Sequence, residues 1–101
     1  MNNTAELDRS VLALSHPVRR AIVERLEAGP ASVARASGGL GVSKPAVTKH
    51  LKVLEDAGLV GRTVKGRTHV LRLEPQSLRE VSEWLELRRF GPGAATSPRP
   101  A

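Results

Sequence analysis

The sequence predicts a mainly α-helical chain with one small β-hairpin, arranged as a winged helix-turn-helix. A glycine-rich turn precedes an amphipathic helix that Ser43 can cap, and helix, turn and helix is the order of that motif. After Gly58, two short β-prone segments flank Lys65-Gly66-Arg67, where Gly66 can take the positive φ of a tight hairpin. A hairpin that directly follows the second helix of the motif is the wing.

Two helices are predicted before the turn. The first covers about residues 4–14, where three apolar side chains recur on one face: Leu7, Val11 and Leu14. Ser15 is the predicted cap of the second helix, with His16 and Pro17 in its first turn, and Gly29 ends it. Both helices are therefore amphipathic and expected to pack on a common core.

The turn is bounded by a short third helix, predicted over residues 32–37, and by the helix after Ser43. The Ser43 hydroxyl can accept from a backbone N–H one turn in, Pro45 is tolerated there, and Gly58 ends the helix. Its buried stripe is predicted to be Val47, His50, Leu51 and Leu54. His50 is thus interpreted as a core histidine with a satisfied ring nitrogen. The outward face carries Lys44, Thr48 and Lys52, which suit an anionic groove.

The wing strands are predicted over residues 60–64 and 69–73, and a last helix runs from after Pro75 to about Phe90. The apolar face of that helix contains Leu78, Val81, Trp84 and Leu85. Residues 1–90 are expected to form one domain. The remaining segment, 91–101, is rich in Pro, Gly, Ser and Ala and is predicted to be disordered.

Composition excludes several classes of protein. The chain has no Cys, which excludes disulfides and thiolate metal sites and fits a reducing compartment, by default the cytoplasm. No apolar stretch approaches the roughly 18 residues of a membrane span, so no membrane association is expected. The only aromatic residues are Trp84 and Phe90, which argues against single-strand binding by base stacking.

The positive charge is concentrated in the middle of the chain. The net charge is +6, from 16 basic and 10 acidic residues. Residues 1–29 and 73–101 each hold four basic and four acidic residues, whereas residues 30–72 hold eight basic residues and two acids. Such a segment is the electrostatic footprint of a nucleic-acid surface. On charge alone, a solvated basic face fits about equally well.

No constellation indicates catalysis or a cofactor. His16, His50 and His69 are scattered without metal-ligand spacing. The run GGLGVSK lacks the spacing of a phosphate-binding loop, and no GxSxG nucleophile motif occurs. Glu55 and Asp56 at a helix exit are interpreted as surface residues. The chain is therefore not expected to be an enzyme.

Three segments resemble the winged-helix repressors of the ArsR/SmtB family: HPVRRAIVERL, VSKPAVTKHLKVLEDAGLV and VKGRTHVLRL. The resemblance covers about residues 7–90. It implies a homodimer that represses by binding a palindromic operator in double-stranded DNA, with the first and last helices at the dimer interface. The predicted DNA-binding residues are Ser43, Lys44, Pro45, Ala46, Thr48, Lys49, Lys52, Lys65, Gly66 and Arg67. The predicted dimer interface contains Leu7, Val11, Leu14, Leu78, Val81, Trp84 and Leu85.

The chain departs from the family at the metal sites. The family's metal sensors use cysteines in the third helix or Asp, His and Glu in the last, but here these segments read SVARAS and SLREVSEWLELRRF, without Cys or His. We therefore expect no control by a metal, and regulation by a small organic ligand, by a partner protein or by simple autorepression stays open. The alternative function is a winged helix that contacts another protein, which would lack the steep salt dependence of DNA binding.

Overall fold

The computed structural model describes residues 4–89, with side chains from 5 to 88; the predicted disordered tail lies outside the described residues. The helices are α1 (Thr4–Ala13), α2 (Pro17–Leu26), α3 (Val33–Ser37), α4 (Lys44–Asp56) and α5 (Pro75–Arg89). The strands are β1 (Ala31–Ser32), β2 (Val60–Lys65) and β3 (Thr68–Leu73). The predicted winged helix-turn-helix is confirmed, and no helix in the range 4–89 is long and apolar enough to cross a membrane.

One hydrophobic core holds the helices against the sheet. Its largest fully buried side chains come from α2, α4, the connection to β2, and β3: Ile22, Leu51, Leu54, Leu59 and Leu71. The stripe predicted on α4 is confirmed for Val47, Leu51 and Leu54, whereas His50 is only half-buried. Because α4 buries this stripe, its opposite face is turned outward.

The sheet has three strands rather than the two of the predicted hairpin. All pairs are antiparallel in the order β1-β3-β2, and β1 pairs Ala31 with Leu71 and Ser32 with Val70. A two-residue strand is too short to produce an alternating pattern, so the sequence did not reveal it. Ser32 both ends β1 and caps α3, since its hydroxyl accepts from the Arg35 backbone N–H at 3.2 Å.

Most predicted helix ends are confirmed, with one exception. Ser43 caps α4 by accepting from the Ala46 N–H at 3.3 Å, and Gly58 after α4 has a φ of 75°. The prediction that Ser15 caps α2 was wrong. His16 is the cap, because its Nδ1 accepts from the Val18 N–H at 3.1 Å. The Ser15 hydroxyl instead donates back to the Leu12 carbonyl oxygen at 2.6 Å.

Candidate nucleic-acid interface

The outward face of α4 is polar and largely exposed. Its predicted contact residues Ser43, Lys44, Pro45, Thr48, Lys49 and Lys52 are exposed, and Ala46 is half-buried. The Thr48 hydroxyl donates to the Lys44 carbonyl oxygen at 3.1 Å. A hydroxyl whose hydrogen is engaged in such a bond still has lone pairs with which it can accept from an external donor.

The turn before α4 is held by a side chain that sequence reasoning did not single out. Arg25 of α2 donates from Nη1 to the carbonyl oxygens of Arg35 and Ala36 at 3.3 Å and of Gly38 at 2.5 Å. These oxygens lie at the end of α3, where helix carbonyls lack partners within the helix. Arg25 thereby fixes the end of α3 against α2, and with it the direction of the chain into α4.

The wing tip is a second exposed basic element. Lys65, Gly66 and Arg67 are all exposed, and Gly66 has a φ of 62°, as a tight hairpin requires. β2 and β3 pair along their whole length, from Val60 with Leu73 to Lys65 with Thr68. The tip therefore extends from a regular two-stranded ladder.

Ion pairs divide the basic residues of the central segment into two groups. Lys52 pairs with Asp56 at 3.3 Å, Arg62 with Glu55 at 2.8 Å, and Arg72 with Glu74 at 3.1 Å. Within the described residues, no salt bridge involves the remaining five: Arg35, Lys44, Lys49, Lys65 and Arg67. The uncompensated positive charge is thus concentrated on the first half of α4, at the wing tip and on α3.

The wing is anchored to the end of α4 by one of these pairs. Arg62 of β2 donates from Nε and Nη2 to the two carboxylate oxygens of Glu55, at 2.8 and 3.1 Å, and its Nη1 lies 3.1 Å from Nδ1 of His69. Hydrogen bonding to Glu55 raises the pKa of Arg62. Glu55 was predicted to be a surface residue, but its side chain is only 28% exposed. The pair sets the position of the wing relative to α4.

The predicted dimer residues fall into two groups. Leu14 and Leu78 pack against the monomer core, and Val81 is half-buried. The others are exposed or lie in an open apolar groove between α1 and α5, whose apolar lining is Leu7, Val11, Leu12, Trp84 and Leu87. Leu85 is 55% exposed outside this lining. Leu12 and Leu87, each 66% exposed, also line this groove, although the sequence analysis did not single them out. Leu12 lies off the main stripe of α1, while Leu87 follows Trp84 by three residues, a spacing that could have revealed it.

Within residues 5–88, no three His, Cys, Asp or Glu side chains come together in an arrangement that could hold a metal ion. Glu80, Glu83 and Glu86 lie on α5 without an imidazole or thiolate in that helix.

A winged helix-turn-helix with a three-stranded sheet, and with basic side chains on α4 and the wing tip that form no salt bridge within the described residues, is typical of DNA-binding proteins. Comparisons with known proteins agree with this class. Residues 14–62 match a family described as a helix-turn-helix domain. The chain is 44% identical over 89 residues to the HTH-type transcriptional regulator Rv2034 of Mycobacterium tuberculosis, covering 88% of this chain and 81% of that protein. It is 27% identical over 73 residues to the transcriptional repressor SdpR of Bacillus subtilis, covering 72% and 81%.

Two similar solved structures are described as ArsR-type regulators. The ArsR family transcriptional regulator RHA00566 is 30% identical, with a TM-score of 0.80 over 87% of this chain and 91% of that one. An ArsR-like transcriptional regulator from Rhodococcus sp. RHA1 is 31% identical, with a TM-score of 0.73 over 90% and 84%. The chain belongs to the ArsR family of winged helix-turn-helix, DNA-binding transcriptional regulators, which is not an enzyme family.

Proposed function

We propose that the protein is a homodimeric repressor that binds a palindromic operator in double-stranded DNA and does not respond to a metal ion. The DNA-binding part of this proposal rests on one observation: some basic residues of the central segment are paired in salt bridges and others are not. Five central basic residues form no salt bridge with any residue that the structure describes, and two of them, Lys44 and Lys49, lie on the outward face of α4. Repression is supported by the likeness to SdpR, which is named a transcriptional repressor.

The proposed contacts follow from the geometry of each element. The first half of α4 enters the major groove, where Lys44 and Lys49 can donate to guanine or phosphate and Thr48 can accept from a base amino group. Lys65 and Arg67 at the wing tip bind the backbone or the adjacent minor groove. Ser43, Pro45, Ala46 and Gly66 shape these elements and allow close approach. Lys52 contributes less, because Asp56 lies 3.3 Å away.

The homodimer is supported by the apolar groove between α1 and α5. Val11, Leu12, Trp84 and Leu87 are between 37% and 66% exposed and line the same groove. Exposed apolar side chains grouped in this way, here with a rim that includes Asp8, Glu80, Glu83 and Arg88, are typical of an interaction site. Mb0332 of Mycobacterium bovis, described as a homodimeric winged helix-turn-helix DNA-binding domain, has the same fold, with a TM-score of 0.69 at 19% identity. A two-fold dimer would set its two reading helices about 34 Å apart, or a multiple of this, which requires a palindromic site.

Binding to DNA also supports the cytoplasmic location expected from the sequence, since the relatives are bacterial.

The dimer is tested by Leu87→Asp. The side chain is 66% exposed, so the charge should leave the monomer folded, but it would be buried in the dimer without a partner. We expect sedimentation at micromolar concentration to give a dimer for the wild type and a monomer for the variant, with loss of operator affinity. Gln76→Asp, exposed at the start of α5 outside the groove, is the control and should stay dimeric. A monomeric wild type would refute the proposal.

A further inference from the structure

A cluster of three side chains, those of Arg19, His50 and His16, joins α1, α2 and α4. Arg19 of α2 donates from Nε to the Ala13 carbonyl oxygen at 2.6 Å and from Nη2 to that of Leu12 at 3.3 Å. Its Nη1 lies 3.2 Å from Nδ1 of His50 in α4. One guanidinium thus binds the last carbonyls of α1 and a side chain of α4 at the same time.

The protonation state of His50 follows from this contact. A guanidinium only donates, so Nδ1 of His50 must accept and the ring proton must be on Nε2. The ring of His16 lies beside it, with centroids 4.3 Å apart and planes tilted by 50°. The Nδ1 of His16 also accepts, from the Val18 N–H that it caps. The contact with Arg19 therefore requires a neutral His50 imidazole.

A second bond ties α1 to the far end of α4. Ser10 of α1 is 3% exposed, and its hydroxyl donates to the Ala57 carbonyl oxygen at 3.5 Å. This bond is long, but it lies about two helical turns from His50, at the carboxyl end of the same helix. α1 is therefore linked to α4 both near its middle and at its carboxyl end.

We propose that Arg19 and His50 are positioning residues: together they hold the reading helix α4 in a fixed orientation relative to α1, the helix that carries part of the proposed dimer face. This rests on the proposed function. In a two-fold dimer, the orientation of α4 relative to the dimer helices decides whether both reading helices meet their half-sites at once. The link acts on operator selection rather than on phosphate binding, which needs only positive charge.

The charges around His50 make the link sensitive to acid. Burial lowers the pKa of His50, and its electrostatic interactions with His16 and Arg19 lower it further. The folded state therefore binds this proton less readily than the unfolded chain, whose imidazole has a pKa of about 6.5. The contribution of His50 is present above that pH and is lost as the pH falls below it. Protonation also removes the acceptor of Arg19.

The test uses two matched arginines on α2. Arg20, like Arg19, donates to a carbonyl oxygen near the end of α1, that of Leu14 just after the helix at 2.9 Å, but among the described residues it makes no hydrogen bond to α4. Arg19→Ala and Arg20→Ala remove the same charge. The probes are a duplex selected by the wild type from a random pool, and a random duplex of equal length. We expect Arg19→Ala to lower the ratio of the two affinities about tenfold, the size of one charged hydrogen bond, and Arg20→Ala to leave it within twofold.

Variants of His50 separate positioning from folding. His50→Leu fills the space without an acceptor, whereas His50→Asn keeps an acceptor oxygen at the δ position and does not titrate. His50→Leu should match Arg19→Ala, and His50→Asn should keep the wild-type ratio. The wild-type ratio should fall as the pH is lowered below about 6.5, and that of His50→Asn should fall less.

Hydrogen exchange in the free protein decides the link independently of DNA. Exchange in residues 44–56 should rise in Arg19→Ala and His50→Leu, with residues 75–88 unchanged as an internal control. If both variants exchange like Arg20→Ala, the positioning role is overturned, whatever the DNA results. If the wild type does not distinguish the selected from the random duplex, the proposed function fails instead, and the exchange result still decides the link.

Discussion

Replacing Arg67 should change the salt dependence of DNA binding by an amount that also reports the number of subunits on the DNA. Arg67 lies exposed at the wing tip and forms no salt bridge with any of the described residues, so its charge is available to a phosphate. Each phosphate contact on duplex DNA contributes about 0.9 to the slope of log affinity against log salt. Arg67→Gln should therefore lower the slope by about 0.9 per bound subunit.

The two stoichiometries give clearly different results. A dimer loses two contacts and a slope of about 1.8, so raising salt from about 50 to 200 mM would weaken the wild type about twelvefold more than the variant. A monomer would give only about 3.5-fold. Fluorescence anisotropy with a labelled duplex over this salt range measures the slope directly.

Arg72 provides the matched control on the same hairpin. Its guanidinium lies 3.1 Å from Glu74 and donates to the Thr63 hydroxyl at 2.9 Å, so its charge is already compensated. Arg72→Gln removes the same formal charge and should leave the slope almost unchanged. Equal slopes for the wild type and Arg67→Gln would refute wing contact. Equal losses in both variants would show that total charge, and not the division by ion pairs, controls binding.

Three further predictions concern base readout, metal ions and the core. Lys44→Ala or Thr48→Ala should each relax base preference at one operator position, at a cost of about 1 to 3 kcal/mol, and unchanged selectivity in both would remove α4 from the groove. Micromolar Zn²⁺ should not release DNA, because carboxylates without imidazole or thiolate bind it weakly; chelator-reversible release would contradict this. Leu54→Ala, at a fully buried position, should lower the free energy of unfolding by about 2 to 5 kcal/mol in urea titrations, against little change for the exposed Leu12→Ala.

Local features of the fold were predictable because each is recorded in a few adjacent residues. Ser43 and Gly58 delimit α4 through cap and left-handed conformations, and Gly66 supplies the turn of the wing. The one strand that was not predicted, β1, has only two residues and forms because β3 offers a free edge. The cap of α2 is His16 and not the predicted Ser15, because the His16 ring nitrogen reaches the Val18 N–H. This contact depends on the conformation of the side chain, which residue type alone does not reveal.

The candidate site was only partly predictable for a different reason. The sequence identifies eight basic residues in the central segment, but which of them are compensated depends on contacts between elements. Arg62 meets Glu55 only because β2 folds back along the end of α4. Arg19 and Arg25 were likewise read only as parts of a neutral segment, and their roles at the ends of α1 and α3 appear once those carbonyls are brought to them.

The arrangement of charge along α4 argues for a defined direction of approach to DNA. Its second half is compensated, since Lys52 pairs with Asp56 and Glu55 with Arg62, whereas Lys44 and Lys49 in its first half are not. The unpaired backbone N–H groups at the start of a helix add a partial positive charge of about half a unit at that same end. We therefore expect an anionic groove to be attracted to the first half of α4, while in the second half Glu55 holds the wing and Asp56 pairs with Lys52. Reversing this balance with Asp56→Lys would extend the positive face along the whole helix, which should raise affinity for random duplexes more than for a selected one. We therefore expect discrimination between sequences to depend on the acids of α4 as well as on its lysines.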